Sequence, residues 1–364
     1  MKNILIVSNT TYGIEMFLLE ALEQLARRHN VVIVTNTRDL NYFDSINCKT
    51  ISVKLVRKPN VFRDVINTLH LVKIIKRNNT DLILSFTPKS GLISSLAGFI
   101  TRVRSSHTFT GQVWSTKSGL VKWFLMMLDW VILSMNYRSY CDSYSQADFI
   151  ANSFPFRIPR IHVVANGSLG GVDLTKYYPI ESDSSNDSIS LLYLARKTRD
   201  KGAFDVLRAF AIAVKENPSL KLYYIGPEEE VIPSDCIDIL NTYGRQIVNI
   251  NGIVDAKEYL SLSQILLLPS RREGFGSIVI QAAAMGIPTV GYNIYGLTCS
   301  VGAKSGILVP VGDIEKLSSG IDKMVSRINV NPQKVKDDCR SWSERFNSVQ
   351  YALEWNNEIE SLLD

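Results

Sequence analysis

Two basic residues stand close together behind a predicted strand. Arg196 and Lys201 follow the buried run 190–195, and a helical pattern begins at Ala203. From a strand exit both cations can reach one diphosphate, because Arg offers a planar fork of donors and Lys a point charge. Their spacing therefore favours diphosphate binding. A solvated basic turn is the alternative explanation.

A second segment can supply backbone amides to an anion. The apolar run 266–268 ends at Pro269, a glycine-rich turn carries Glu273, and a helical pattern follows. The first amides of a helix have no partner within the helix, so they bind anions. The candidates are Gly274, Phe275, Gly276 and Ser277. The alternative is that the two glycines only permit the backbone angles of a sharp turn.

These two segments resemble the donor-binding part of the retaining glycosyltransferases of family four, which have the GT-B fold. In that family the acid at the position of Glu273 contacts the donor sugar, and the cations at Arg196 and Lys201 bind the diphosphate. The family pattern has a second Glu that holds the ribose, but Gln281 stands at that position here. The resemblance implies that a neutral amide binds the ribose, without the charge assistance of a carboxylate.

Further glycines follow the order of the same family. Gly226 comes directly after the predicted strand 220–225, and Gly252 closes the next strand. The resemblance is strong over residues 160–325, and it assigns both glycines to donor binding.

The elements that position these residues alternate along the chain. Predicted strands at 4–7, 31–35 and 82–86 alternate with helical stretches such as 14–28 and 63–77. This alternation predicts parallel, doubly wound sheets, and the second half repeats the pattern. We therefore expect an α/β protein with two doubly wound Rossmann-like domains. The resemblance to the GT-B fold implies that they face a central cleft.

Length and composition agree with two domains. The chain has 364 residues, of which 46% are hydrophobic, and this is enough for two buried cores. The polar run 181–188 is typical of a hinge between domains. We predict an N-terminal acceptor-binding domain at 1–180 and a nucleotide-sugar donor-binding domain at 181–340. A C-terminal helix at 341–364 is expected to pack back on the first domain.

Two residues of the first domain are candidates for the site. Gly13 lies where the chain leaves the first strand and starts a helix, at the sheet edge where ligands bind, and we assign it to donor binding. An ordinary turn is the alternative. His107 stands among Thr, Gly and Gln in a predicted loop. Family members place a His behind a strand of this domain to contact the donor sugar, and His107 is the best match; a structural histidine is the alternative.

Charge divides the chain unevenly. Residues 1–180 hold 21 Lys and Arg against 11 Asp and Glu, a net charge of +10, whereas 181–364 carry −5. A basic first domain indicates an anionic partner, and the absence of a recognised nucleic-acid module favours a membrane surface over nucleic acid. The apolar stretch 120–135 has two Trp, but Lys122 and Asp129 interrupt it. It is expected to lie in the membrane interface; a buried helix is the alternative.

The compartment follows from cysteine usage and the N-terminal sequence. Five widely spaced cysteines without a Cys-x-x-Cys pair indicate neither disulfides nor a zinc site. Residues 1–8 lead directly into a strand and lack the pattern of a signal peptide. We expect a cytoplasmic protein that is peripheral at the inner face of the cell membrane.

The resemblance implies an enzyme that transfers a hexosyl or N-acetylhexosaminyl group with retention of configuration (EC 2.4). The donor is expected to be a UDP-sugar and the acceptor a polyprenyl-diphosphate-linked saccharide of O-antigen or capsule assembly. The sequence has no Asp-x-Asp metal motif in a suitable loop, so cationic side chains and helix amides are expected to replace a metal, and no cofactor is expected. Two alternatives stay open: a nucleotide-sugar epimerase of the same fold, and a non-catalytic sugar-nucleotide binding subunit.

Overall fold

The structure, a computed structural model, describes residues 1–55, 60–179 and 188–364. The chain divides into two compact units, Met1–Gly171 together with Ser348–Asp364, and Val172–Asn347. Residues 180–187, which include nearly all of the predicted hinge and the predicted boundary, lie outside the described residues. The last segment of the chain belongs to the first unit.

Strands and helices alternate through both units. The described strands are β1 (Asn3–Val7), β2 (Asn30–Thr35), β3 (Lys49–Ser52), β4 (Leu82–Ser85), β5 (Arg104–Phe109), β6 (Arg138–Cys141), β7 (Ile161–His162), β8 (Ser190–Leu194), β9 (Lys221–Ile225), β10 (Ile247–Ile250), β11 (Ile265–Leu268), β12 (Thr289–Tyr292) and β13 (Gly306–Val309). The described helices are α1 (Thr11–Ala26), α2 (Val61–Arg77), α3 (Pro88–Thr101), α4 (Gly119–Met135), α5 (Tyr144–Ser153), α6 (Ala203–Glu216), α7 (Ser234–Thr242), α8 (Ala256–Ser261), α9 (Ser277–Ala284), α10 (Leu297–Ser300), α11 (Ile314–Val330), α12 (Pro332–Ser343) and α13 (Ser348–Leu363).

The first unit is built on a parallel sheet of strand order β3-β2-β1-β4-β5-β6-β7. Successive side chains of a strand point to opposite faces, and both faces of this sheet are covered. Ile4 and Ile6 of β1 therefore pack in one core with α1 and α13. Leu5 and Val7 point the other way and pack in a second core with α2 and α3.

The second unit repeats this design in a parallel sheet of order β10-β9-β8-β11-β12-β13. Leu191 and Tyr193 of β8 share a core with α6 and α11 on one face. Leu192 points to the other face, into a core with α9. The prediction of two doubly wound α/β domains is confirmed.

The strand order of each sheet fixes where a ligand can bind. The chain moves outward in one direction and then returns to the other side of the first strand, so the order reverses between β1 and β4 in the first unit and between β8 and β11 in the second. Loops that leave the carboxyl ends of such a strand pair diverge to opposite faces and leave a crevice. The segments behind β8 and β11 are those that carry Arg196, Lys201 and Glu273.

Candidate active site

Close backbone contacts hold the two loops behind β8 and β11 together. Gly202 has φ 71°, and a Cβ atom built on it would lie 2.0 Å from the Pro269 carbonyl oxygen. The backbone amide of Arg271 also donates a hydrogen bond to the Asp200 carbonyl oxygen, with 2.8 Å between nitrogen and oxygen. Only glycine at position 202 combines this backbone angle with the close approach.

Lys201 and Glu273 form an ion pair at this crevice. The distance from Lys201 Nζ to Glu273 Oε1 is 2.7 Å, and the two side chains are only 18% and 15% exposed. The pair joins the predicted diphosphate cation to the predicted sugar-binding acid, although 72 positions separate them. A partly buried pair is screened less by solvent than a surface pair, so each group strongly affects the charge that a ligand meets at the other.

Arg196 is held by acids of neighbouring segments. Its guanidinium donates to Glu229 Oε2 at 2.6 Å and lies 4.0 Å from Asp200 Oδ2. Burial acts to raise the pKa of Asp200, but the Thr198 hydroxyl and the cations Arg272, Lys201 and Arg196 outweigh it, so this pKa is lowered. Asp200 is therefore ionised at neutral pH and helps to fix the position of Arg196.

Two further arginines belong to the site and were not assigned from the sequence. Arg272 Nη2 lies 3.3 Å from Asp200 Oδ2, and Arg271 Nη2 lies 2.6 Å from Asp205 Oδ2. Asp205 also accepts a hydrogen bond of 2.9 Å from the Tyr292 hydroxyl. The signal was present in the sequence, since both arginines directly precede Glu273.

Lys197 is a buried cation beneath these loops. Its side chain is fully buried, and its Nζ donates to Asn249 Oδ1 at 2.6 Å and to Glu228 Oε1 at 3.1 Å. Nζ also lies 4.9 Å from the centroid of the Tyr224 ring. Burial lowers the pKa of Lys197, although Glu228 opposes the shift. We interpret this lysine as a support for the loop between Arg196 and Lys201, because its donors face the protein.

The amino end of α9 lies behind the Glu273 turn. The helix begins at Ser277 after Gly276, and no side-chain cap bond is formed by Gly276. Phe275 is 1% exposed and packs edge-on against Phe346, with 5.1 Å between ring centroids. Its side chain therefore anchors the turn in the core, and only its backbone is available to a ligand.

Gln281 lies one helical turn after Ser277 in α9 and is partly exposed. Residues four apart share a helix face, so the amide side chain lies on the same side of α9 as Ser277. Gly226 directly follows β9, the neighbour of β8, whereas Gly252 follows the edge strand β10. Two strand spacings separate β10 from β8, about 10 Å, so Gly252 lies at the margin of the site.

Gly13 lies in the first unit, whereas the other glycines predicted to bind the donor lie in the second unit. It falls in the first turn of α1, directly behind β1. The neighbouring loop behind β4 is tied to this segment by a 2.9 Å hydrogen bond from Thr87 Oγ1 to Asn9 Oδ1. The predicted helix start at the carboxyl edge of the sheet is confirmed.

The predicted loop position of His107 is wrong. His107 lies within β5, is 1% exposed, and its Nδ1 is 2.9 Å from the Ser85 hydroxyl oxygen. Burial lowers its pKa to about 3, against the effect of its contact with Ser85. The ring packs edge-on against Phe109, and a Cβ atom on Gly91 would lie 2.6 Å from it. A ring enclosed in this way has no surface to offer a sugar hydroxyl.

The carboxyl end of β5 instead presents the residues that follow it. Thr110 is partly exposed, and its hydroxyl lies 3.4 Å from the Phe86 carbonyl oxygen. Gln112 is buried, and its Oε1 accepts a 2.9 Å hydrogen bond from Gln146. Of these two side chains, Thr110 is the one with surface to offer a ligand of the first unit.

Comparison with known protein families agrees with the fold. Residues 178–336 match the family described as Glycosyl transferases group 1, and residues 11–168 match Glycosyltransferase Family 4. The match at 11–168 contains β2 to β7 of the first sheet, and the match at 178–336 contains β8 to β13, the second sheet. The chain is a glycosyltransferase of the GT-B fold.

The chain is also similar to individual glycosyltransferases and to a solved structure. The capsular polysaccharide biosynthesis glycosyltransferase CapM of Staphylococcus aureus is 25% identical over 339 residues, which cover 90% of this chain and 89% of CapM. The UDP-Gal:alpha-D-GlcNAc-diphosphoundecaprenol alpha-1,3-galactosyltransferase of Escherichia coli is 22% identical and covers 76% of each chain. Among solved structures, Anabaena Alr3699/HepE in complex with UDP and glucose has a TM-score of 0.78 at 15% identity, over 99% of this chain and 100% of that one.

Proposed function

We propose that this protein transfers a sugar from a UDP-linked donor to a polyprenyl-diphosphate-linked saccharide, with retention of configuration, in capsule or O-antigen assembly. The observation that carries the proposal is the convergence of Arg196, Lys201 and Glu273 at the crevice between β8 and β11. Anionic leaving groups need cationic compensation, and a sugar needs a hydrogen-bond acceptor beside it.

Binding of the donor would replace ion pairs within the protein by contacts between the same cations and the diphosphate. The diphosphate accepts hydrogen bonds from Arg196 and Lys201, which now contact Glu229 and Glu273 at 2.6 and 2.7 Å. Glu273 is then released to accept hydrogen bonds from the sugar hydroxyls. The first amides of α9 add a positive partial charge, and Gln281 on the same helix side contacts the ribose.

In the reaction, the bond between the anomeric carbon and the diphosphate oxygen breaks, and the electron pair leaves with UDP. The acceptor hydroxyl attacks the same face of the sugar, and its proton passes to the leaving phosphate oxygen. Arg196 and Lys201 stabilise the charge that develops on that oxygen. We propose that these cations and the α9 amides are sufficient without a divalent metal.

The names of three similar proteins support the choice of substrates. HepE has been solved with UDP and glucose, which supports a UDP-linked donor. The galactosyltransferase of Escherichia coli is named for a diphosphoundecaprenol-linked acceptor, and CapM for capsular polysaccharide biosynthesis. The basic character of residues 1–180 supports a peripheral position at the cytoplasmic face of the membrane, where such acceptors present their diphosphate.

A panel of nucleotide sugars tests this proposal. The full chain is incubated with UDP-, GDP- and ADP-linked hexoses and N-acetylhexosamines in excess EDTA, and thermal stabilisation and slow donor hydrolysis are measured together. We expect stabilisation and UDP release with a UDP-sugar. Stabilisation without turnover, also after addition of membrane lipids, would instead favour a non-catalytic binding subunit. Activity that appears only when Mg²⁺ or Mn²⁺ is restored would contradict the metal-independent mechanism.

A further inference from the structure

An apolar groove runs along the outer side of the first unit. Helix α3 packs against both α2 and α4 and forms the floor between them. The groove has a volume of about 600 Å³, within the usual range of small-molecule pockets. Its lining includes Val65 and Leu69 of α2, Leu92 and Leu96 of α3, and Leu125 and Leu128 of α4.

The groove exists because the two wall helices use few of their apolar side chains for the core. Helix α4 buries Met126, Ile132 and Leu133, while Leu120 and Trp123 are 89% and 57% exposed. On α2, Phe62 is 76% exposed. Large contiguous apolar patches on a protein surface mark sites of interaction. In residues 1–55, 60–179 and 188–364 no helix is long and apolar enough to span a bilayer.

The charged side chains that line the groove have partners within the protein. Lys89 Nζ lies 2.6 Å from both carboxylate oxygens of Asp64. Asp129 accepts a 2.7 Å hydrogen bond from Trp114 Nε1, and burial raises its pKa to about 7. These groups leave little net charge in the groove, so its walls favour a hydrocarbon over a polar ligand.

One end of the groove lies near the sheet edge where ligands bind. Pro88 and Lys89 line the groove and form the first turn of α3, directly behind β4 at the switch point of the sheet. From Pro88 to Ile100 the lining follows α3 for about 18 Å, at 1.5 Å per residue. A chain laid along α3 would therefore bring a group attached to its end to the carboxyl edge of the sheet.

The surroundings of the groove match an anionic lipid. Residues 60–138 contain ten Lys and Arg and three Asp. Arg104 and Arg138 contact α13, and Lys89 pairs with Asp64, which leaves seven basic residues against two Asp. The four acids of the returning segment 348–364 lie with α13, which packs on the opposite face of the sheet. An apolar groove in a basic part of the first unit fits an amphiphile with a long hydrocarbon chain and a phosphate head.

We propose that this groove binds the hydrocarbon chain of the lipid-linked acceptor and presents its diphosphate-linked saccharide at the carboxyl edge of the first sheet. The proposal rests on the proposed function for the existence of such an acceptor. It adds the place where the lipid binds, and it makes the lipid chain a determinant of acceptor choice.

Direct binding of geranylgeranyl diphosphate to the full chain tests this inference without any turnover. Calorimetry compares that probe with inorganic diphosphate for the wild type and for Leu96→Trp, which fills the floor of the groove. Leu19→Trp is the matched control, because Leu19 is an exposed leucine on α1, at the other face of the sheet. Val65→Trp narrows the groove from its exposed wall and is the second groove variant, which tests the inference by itself should Leu96→Trp not fold.

We expect the prenyl diphosphate to bind at least about tenfold more tightly than inorganic diphosphate, and the groove variants to lose about tenfold in affinity, because overpacking excludes the chain. Leu19→Trp should bind as the wild type does. Unchanged affinity in both groove variants would overturn the inference. Displacement of the probe by a short-chain, monomeric phosphatidylglycerol would also overturn it and would assign the groove to bilayer lipids. A dimer that the groove variants dissociate would assign it to a second copy. Loss of nucleotide-sugar turnover with intact prenyl binding would count only against the proposed function.

Discussion

At the scale of single residues, the position of Gln281 is the clearest departure from the resembled family. A carboxylate there would accept charge-assisted bonds from the ribose but would be repelled by the diphosphate, whereas an amide is neutral. We expect Gln281→Glu to retain transfer and to change UDP affinity by about 1 kcal/mol in either direction. Glu273→Gln should instead lower turnover, since it weakens an interaction with charge that develops on the sugar.

Calorimetric UDP affinity and transfer rate, measured on both variants, separate these two roles. Gln281→Ala serves as the control for loss of the side chain. If neither Gln281 variant alters UDP affinity, the residue is only a part of α9 and does not contact the ribose.

His107 should contribute to stability and to its pH dependence. Its pKa is about 3 in the folded chain and near 6.5 when exposed, so between these values the unfolded state binds the additional proton. Its contribution is complete above pH 6.5 and is lost progressively as the pH falls towards 3. We expect His107→Gln to be destabilised at pH 7 and to show a shallower decline of Tm between pH 7 and 5.

His70, on the exposed side of α2, provides the comparison in the same series of melts. His70→Gln should keep both the Tm and the pH dependence of the wild type. Parallel Tm curves for His107→Gln and the wild type from pH 7 to 5 would show that the buried ring is not the titrating group.

At the scale of elements, the close approach of the loops behind β8 and β11 depends on Gly202. A methyl group at position 202 would lie 2.0 Å from the Pro269 carbonyl oxygen. The backbone angle φ of 71° is also unfavourable for alanine. We expect Gly202→Ala to cost at least about 2 kcal/mol in the free energy of unfolding and to weaken UDP binding, because the loops must separate.

Gly13→Ala is the control for Gly202→Ala, because α1 has room for a methyl group at position 13. The nearest atom would be 3.8 Å from the added carbon. Gly13→Ala should stabilise the protein by about 0.5–1 kcal/mol. Denaturant melts of both variants check the pair. Equal stabilities for Gly202→Ala and the wild type would contradict the packing of the two loops.

Much of the fold could be predicted because its strands are apolar on both faces. The runs predicted at 4–7, 31–35 and 82–86 became β1, β2 and β4 with small changes at their ends. Strand β5 could not be recognised in the same way, because Arg104–Phe109 is rich in Ser, Thr and His. Its polar side chains find partners only once β4 and β6 lie beside it, as the bonds of Ser85 to His107 and Ser106 to Arg138 show.

The candidate site was predictable as a set of cations and amides but not as a set of contacts. Arg196, Lys201 and Glu273 could be named from strand exits and turn residues. The pairing of Lys201 with Glu273 depends on the adjacency of β8 and β11, which no local pattern encodes. Composition also left two interpretations of residues 120–135, a helix in the membrane interface and a buried helix of the core. Only the structure shows how few of the residues of α4 are buried, namely Met126, Ile132 and Leu133.

At the scale of the whole molecule, the uneven charge predicts a salt-sensitive membrane association. Lys117 is exposed and Lys122 partly exposed at the start of α4, next to the exposed apolar side chains of that helix. We expect the chain to sediment with anionic vesicles more than with neutral ones, and less so in high salt, because exposed charges are screened beyond about 8–10 Å at physiological ionic strength. Lys117→Glu with Lys122→Glu should weaken the association about tenfold or more.

Lys304→Glu with Lys316→Glu, on the second unit, changes the net charge by the same amount and is the control. It should sediment as the wild type does. Equal sedimentation with neutral and anionic vesicles would refute the electrostatic part of the association.

The central claim is that Arg196 and Lys201 stabilise the leaving UDP in place of a metal, and the transfer rate in excess EDTA tests it most directly. The wild type, Arg196→Ala, Lys201→Ala and the surface control Lys316→Ala are compared with the UDP-sugar that the panel identifies. We predict that transfer by the wild type and the control persists in EDTA. The two site variants should lose roughly 2–4 kcal/mol of transition-state stabilisation, about 30- to 1,000-fold in kcat/KM. Rates for both variants within about threefold of the wild type would contradict the account.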